Sequence, residues 1–260
     1  MSGSAAFLEA VKARRSIYTI GSESTISDEK IEEIIATAVK HAPSSFNVQS
    51  SRVSKCLCMT PCGLRVHGSR NVTQMRESPP TVDGSGVRSA SIDRASSARE
   101  DAAEKRRAVL LLGDEHKKLW EITLNVLKGI VPADQLPATE GKINGCFAAG
   151  HGTVLFFEDQ EGVKALQAQY PTYQDRFPAW SEHASGILQY IVWTALEAEG
   201  LGATLQHYNP LISAQVLATW DLPTSWVLVA QLPFGKPTAP AGEKTFEPVE
   251  GKRFLTFGKK

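Results

Sequence analysis

Three short clusters hold the side chains best suited to chemistry in this chain. Arg14-Arg15-Ser16 sets two guanidiniums beside a hydroxyl, a combination that grips a phosphate bidentately and donates to a neighbouring oxygen. Pro43-Ser44-Ser45-Phe46-Asn47-Val48-Gln49 follows an amphipathic helix. Its proline and serines make a wall that a ligand can approach closely, while Asn47 and Gln49 offer amides to the polar edge of a flat ring. The third cluster, Leu201-Gly202-Ala203-Thr204-Leu205-Gln206-His207-Tyr208-Asn209-Pro210, runs from small residues into polar and aromatic ones. Each cluster also has a plain structural reading. Cations are favourable at a helix C-terminus, Pro-Ser-Ser-x-Asn is a common helix-ending turn, and a small-residue run after a helix can simply cap it.

Several other chemistries find no support. There is no Gly-x-Gly-x-x-Gly after an early strand, no Gly-x-x-x-x-Gly-Lys and no Gly-x-Ser-x-Gly, so phosphate-loop, dinucleotide-turn and nucleophile-elbow mechanisms drop out. Gly200-Leu201-Gly202 follows a helix, which is the wrong context for a Rossmann turn. The six histidines are scattered without His-x-x-x-His spacing, which argues against a metallohydrolase. The formal net charge is zero, removing the attraction on which nucleic-acid and anionic-membrane binding depends. No apolar window is long enough to span a bilayer and no secretory signal opens the chain. Residues 1–16 are amphipathic with two arginines, as a mitochondrial presequence is, but Glu9 and the helical fit favour a structural first helix. The expectation is a soluble cytoplasmic protein, with a nuclear pool left open.

The elements that position the clusters follow from periodicity. Asp28 to His41 places Ile31, Ile34, Ile35, Ala38 and Val39 at helical spacing with Ser27 as N-cap and acids in the first turn; this helix delivers the 43–49 loop. Residues 116–130 read as a second amphipathic helix, 152–158 as a short apolar strand, and 214–220 as a further helix. Over 182–199, Ile187, Leu188, Ile191, Val192, Ala195 and Leu196 cover most of a helix surface, as expected of a central helix that also meets a partner subunit. Gly200 suits the left-handed turn after it. Residues 226–232 read as a strand buried on both faces. With hydrophobic residues at 42% of 260 a sizeable core is expected, in one domain.

That domain is interrupted. Over residues 54–108 serine, arginine, glycine and proline rise, apolar periodicity is lost and three of the four cysteines fall. The segment carries ten Lys/Arg against six Asp/Glu, leaving eighteen against twenty-two elsewhere. It reads as a basic, low-complexity, disordered insert. Without it, Gln49-Ser50-Ser51-Arg52-Val53 runs into Val109-Leu110-Leu111-Leu112, a buried strand closed by Gly113-Asp114. Val53-Ser54 can be encoded by the bases that open a typical intron, so a retained intron is one origin. Cys56, Cys58, Cys62 and His67 offer thiolate and imidazole but match no standard zinc module, and with Cys146 the only other cysteine a disulfide framework is not expected.

The clusters together, in order, are suited to a flavin mononucleotide, and the chain resembles the nitroreductase family, specifically its branch of small fungal and bacterial oxidoreductases. The resemblance rests on Ala13 to Ser16, residues 43–49 and residues 200–209, and covers nearly everything except 54–108. It implies an α+β fold with a central, mostly antiparallel sheet wrapped by helices, an obligate homodimer, and one FMN per interface. It implies that Arg14, Arg15 and Ser16 hold the phosphate and ribityl chain. Pro43, Ser44, Ser45 and Asn47 reach the flavin of the partner subunit, Gln49 remains the cofactor-binding amide named above, and Gln206 and His207 line the ring. Arg253 resembles the family's late phosphate-binding arginine, a role Lys236 or Lys252 can share. The implied activity is ping-pong: NAD(P)H reduces the flavin and leaves, and a nitroaromatic or quinone takes its place. No catalytic side chain is required, because the cofactor carries the chemistry. One departure is Tyr18, where many relatives have a lysine. A non-catalytic flavin-binding protein of stress or lipid regulation, or a product disabled by the insert, are the alternatives.

Overall fold

The structure, a computed structural model, describes residues 3–48, 51–52, 54–55 and 109–258. Its centre is a pair of strands, β5 (Gly152–Asp159) and β7 (Trp226–Pro237), paired antiparallel along their length. Each has one outer edge completed by two short pieces in line. On β7 these are β1 (Ile20–Gly21) and β6 (Gly202–Ala203). On β5 they are β2 (Ser51–Arg52) and β4 (Val109–Leu112). β3 (Ser54–Lys55) lies outside β4 and is the parallel member of an otherwise antiparallel sheet. The expected α+β fold with a mostly antiparallel sheet is therefore the one found.

Side-chain alternation splits the core in two. Leu110, Val154, Phe156, Ala230, Leu232 and Phe234 face one way, against α2 (Asp28–His41) and α6 (Phe177–Ala198). Val109, Leu111, Leu155, Phe157, Trp226 and Leu228 face the other, against α3 (Gly113–Lys128), the Ile143–Phe147 π-turn and α7 (Ser213–Thr219). Leu228 and Ala230 are two apart yet point to opposite faces, which strict alternation forbids. The pairing shifts between Phe156 and Phe157, where Val229 is the extra residue, and such a bulge reverses the facing of everything beyond it. This also explains why residues 226–232 read as buried on both faces. Val227, before the bulge, is 48% exposed.

The remaining helices are α1 (Ala5–Ala13), α4 (Leu136–Lys142) and α5 (Gln160–Gln169). Ser27 caps α2 as expected, its hydroxyl accepting from the Lys30 N–H. Among the described residues no helix is long and apolar enough to cross a membrane, and no group of three or more potential metal ligands gathers. Cys56, Cys58, Cys62 and His67 lie outside the described residues, as does most of the expected insert.

The β5 edge bears on that insert. Arg52 opposes Phe157 and Val109 opposes Leu155, so a single place, opposite Phe156, remains between them. One residue is enough to join β2 to β4 along that edge.

A buried polar chain locks the second core. Thr153 Oγ1 accepts from Trp120 Nε1–H at 3.0 Å and lies 2.8 Å from His116 Nδ1, while His116 Nε2 is 3.2 Å from the Ala148 carbonyl. That carbonyl can only accept, so the neutral ring carries its proton on Nε2 and takes the Thr153 hydroxyl proton on Nδ1. Burial pushes the His116 pKa down to about 4. The unfolded chain binds the proton near pH 6.5 and the folded chain does not, so stability is lost as pH falls from 6.5 through 4, by at most about 3 kcal/mol. Thermal unfolding across that window should show a steeper loss for the native chain than for His116→Gln; equal slopes would contradict it.

Candidate functional site

The 14–16 segment begins where α1 ends, and it is laid against β6. The Ile17 N–H donates to the Ala203 carbonyl at 3.0 Å, and Ser16 bridges to Ala203. Gly202 permits this approach, because a Cβ there would stand 2.9 Å from Ile17 Cγ2. The Arg14 guanidinium lies over the Trp193 ring at 4.4 Å, a half-exposed stacking contact weak enough to yield to an anion. The Arg15 guanidinium donates to the Gly242 carbonyl, so the C-terminal tail enters the site at Gly242, two residues before Lys244.

One residue outside the three clusters ties this corner together. Glu197, partly buried on α6, accepts the Arg15 N–H at 2.7 Å and Trp193 Nε1–H at 3.0 Å, and it also interacts with the Ala203 N–H. Burial raises its carboxyl above the usual range, against the pull of these donors and of Arg14. Behind the segment, a cavity of about 200 Å³ is lined by Ala10, Ala13, Arg14, Thr194 and Glu197 among others. The spacing Trp193 to Glu197 is one helical turn, which in retrospect was the available signal.

The 43–47 loop lies elsewhere. Phe46 and Asn47 both have positive φ, 52° and 53°; asparagine tolerates this, whereas for a bulky phenylalanine it is uncommon and marks a constrained loop. The Phe46 ring is held by Tyr170, stacked at 4.8 Å, and by Phe177 and Trp180 at 5.6 and 6.4 Å. The loop is thereby fixed to the first turn of α6, with Pro43 and Asn47 exposed. Trp180 and Trp193 belong to the same helix, and at 1.5 Å per residue they are roughly 20 Å apart. The chain therefore places its two main clusters at opposite ends of α6 and does not bring them together itself.

The third cluster splits. Gln206 is buried, its backbone exchanges hydrogen bonds with Gln231 at 2.7 and 2.9 Å, and its side-chain amide donates to Thr204 Oγ1 at 3.0 Å. His207 is exposed. Gln231, fully buried, clamps the turn by accepting the Tyr208 N–H at 2.8 Å. Tyr18, at the position where the resemblance expects lysine, is 44% exposed beside Phe147, and Lys142 Nζ lies 5.7 and 5.8 Å from the two ring centroids. A cation thus stands at this wall, delivered by a different element. Arg253 is exposed in the tail, with no described contact to the 14–16 segment, Lys236 pairs with Glu23 at 2.6 Å, and Gln49 lies outside the described residues.

The fold agrees with the comparisons. The Nitroreductase family profile matches residues 11–56 and 98–236, and the chain belongs to the nitroreductase family. It is 32% identical over 250 residues, 95% of each chain, to "Putative nitroreductase HBN1" of Saccharomyces cerevisiae. Among solved structures, nitroreductase CinD from Lactococcus lactis, in complex with chloramphenicol, is 37% identical with a TM-score of 0.69, over 96% of this chain and 99% of that one; the same protein has been solved with 4-nitrophenol. A nitroreductase from Desulfitobacterium hafniense with bound FMN shares the fold at 14% identity and a TM-score of 0.56, over 97% of each chain.

Proposed function

We propose that this chain is an FMN-dependent oxidoreductase that passes hydride from NAD(P)H to nitroaromatic or quinone acceptors, working by alternate occupation of one cleft in a cytoplasmic homodimer. The observation that carries the reading is the placement of the clusters at the two ends of α6. Trp180 lies as far before Ile187 as Thr194 lies after it, and Ile187, mid-helix, is 42% exposed beside Gly186, where a Cβ would meet nothing within 4 Å. A two-fold axis through this point sets two α6 helices antiparallel, a self-complementary contact. It brings the 43–47 loop of one subunit to the 14–16 segment of the other, so one pair yields two complete sites.

The residues fit FMN. Arg14 and Ser16 present a guanidinium and a hydroxyl at a half-open corner, the charge and donors a phosphate needs, and Lys244 is the tail cation nearest along the chain to the Arg15–Gly242 contact. Bound flavin supplies the two-electron chemistry. The protein's part is to orient and to exclude water: Pro43, Ser44, Ser45 and Asn47 close the cleft from the second subunit, and Lys142 offers positive charge at the Tyr18 wall for the reduced state. The 4-nitrophenol held by CinD supports a nitroaromatic acceptor. In this reading one domain spans residues 1–260, interrupted by 54–108, whose first residues Ser54–Lys55 pair with β4 at the sheet edge. The reading is tested by the visible spectrum of the purified 260-residue chain with FMN. Its yellow absorbance should bleach with NAD(P)H and return on adding a nitroaromatic.

A further inference from the structure

Glu197 is absent from every cluster that the sequence offers, yet it touches two of them. It sits in the last turn of α6, three residues before Gly200, and takes the backbone N–H of Arg15 while interacting with that of Ala203. It also takes the indole N–H of Trp193, the ring on which Arg14 rests. A carboxylate is an unusual choice for a partly buried position within reach of an anion site, since its charge repels phosphate and its desolvation is costly. A carboxylate has, however, lone pairs enough for several N–H donors arriving from different directions, which no neutral side chain of that length provides.

We infer that Glu197 is a positioning residue for the phosphate end of the flavin, fixing the backbone of the 14–16 segment against α6 and β6 so that Arg14 and Ser16 face one point. The inference rests on the flavin reading above but is separable from it. A residue that only supports the fold affects all ligands of the site alike, whereas one that sets the phosphate corner affects FMN and spares riboflavin, which has the same ring and ribityl chain without the phosphate.

The experiment measures FMN and riboflavin affinity, by quenching of flavin fluorescence, for the full native chain and for Glu197→Ala, Glu197→Asp and Glu197→Gln. Losing the shared acceptor should weaken FMN about tenfold in Glu197→Ala and leave riboflavin within about twofold. Glu197→Gln keeps one oxygen, for the Arg15 N–H, but turns an NH2 toward the Trp193 indole N–H, so its FMN affinity should fall between native and Glu197→Ala with riboflavin again spared. Glu197→Asp withdraws the acceptor by one carbon and should fall between, which keeps the test decisive if the alanine variant does not fold. Equal losses for both flavins, or no loss for either, would overturn the inference. A native chain that binds neither flavin would remove the flavin reading and this inference with it.

Discussion

Deleting residues 54–108 should yield a protein that folds, takes up FMN and unfolds at a higher temperature than the 260-residue chain. Strand register sets this outcome. With Arg52 opposite Phe157 and Val109 opposite Leu155, the β5 edge accepts one residue between them, and deletion of 54–108 leaves one, Val53. Deletion of 53–107 leaves Ala108 instead and should behave alike. Bringing the chain back to the same lane after about 55 residues costs roughly 3.5 kcal/mol of closure entropy, less any ordering the segment gains for itself. For a domain of this size that corresponds to a rise in Tm of about 7 to 14 °C. Deletions one residue longer or shorter would put the apolar residues of β4 on the wrong faces and should be much less stable than either. A register-matched deletion that is insoluble, or that melts below the full chain, would contradict the reading of one interrupted domain.

Ile187→Glu should abolish both dimer and cofactor uptake while leaving the subunit folded. Ile187 is exposed at the midpoint of α6 and contributes little to its own core, so truncating its apolar surface costs the isolated subunit little. At a two-fold axis, however, each substituted side chain faces its own copy, and two carboxylates placed there repel each other across a desolvated surface. If the cleft needs the 43–47 loop from the second subunit, FMN affinity should fall more than a hundredfold together with the dimer. Sedimentation and flavin titration of the same samples check both. A monomeric Ile187→Glu that still binds FMN normally would show the cleft to be complete in one chain.

How far the sequence reached depended on how local each determinant was. α2 was legible to its ends, because its apolar stripe, its Ser27 cap and its acidic first turn all act within the helix. α6 was legible from Glu182 onward, but its first turn, Phe177 to Ser181, is defined by packing of Phe177 and Trp180 on Phe46, a contact between distant segments. α5 buries Val163 alone and has no stripe to read. The Ile143–Phe147 π-turn, rich in glycine on either side, is held by Ile143 and Phe147 in the second core. β7 runs on through Pro233, Gly235 and Pro237, residues that argue against a strand, because partners on both edges hold it extended.

The site divides in the same way. The residue types of the 14–16 and 43–49 clusters were legible, since phosphate and amide recognition depend on chemistry close in sequence. Their separation along α6 was not, because only the packed helix sets it. Glu197 reads in sequence as one more acid at a helix end, and its importance comes from Arg15, Trp193 and Ala203 converging on it. Gln231 was embedded in an apolar run, where a lone polar residue signals a buried hydrogen-bonding task.

The most direct test of the central claim is the visible absorption spectrum of the purified 260-residue chain after incubation with FMN and removal of unbound flavin. The account predicts a yellow protein carrying one FMN per chain, bleached by NAD(P)H and restored by a nitroaromatic such as 4-nitroquinoline N-oxide. A folded chain that stays colourless and takes up no added FMN would contradict it.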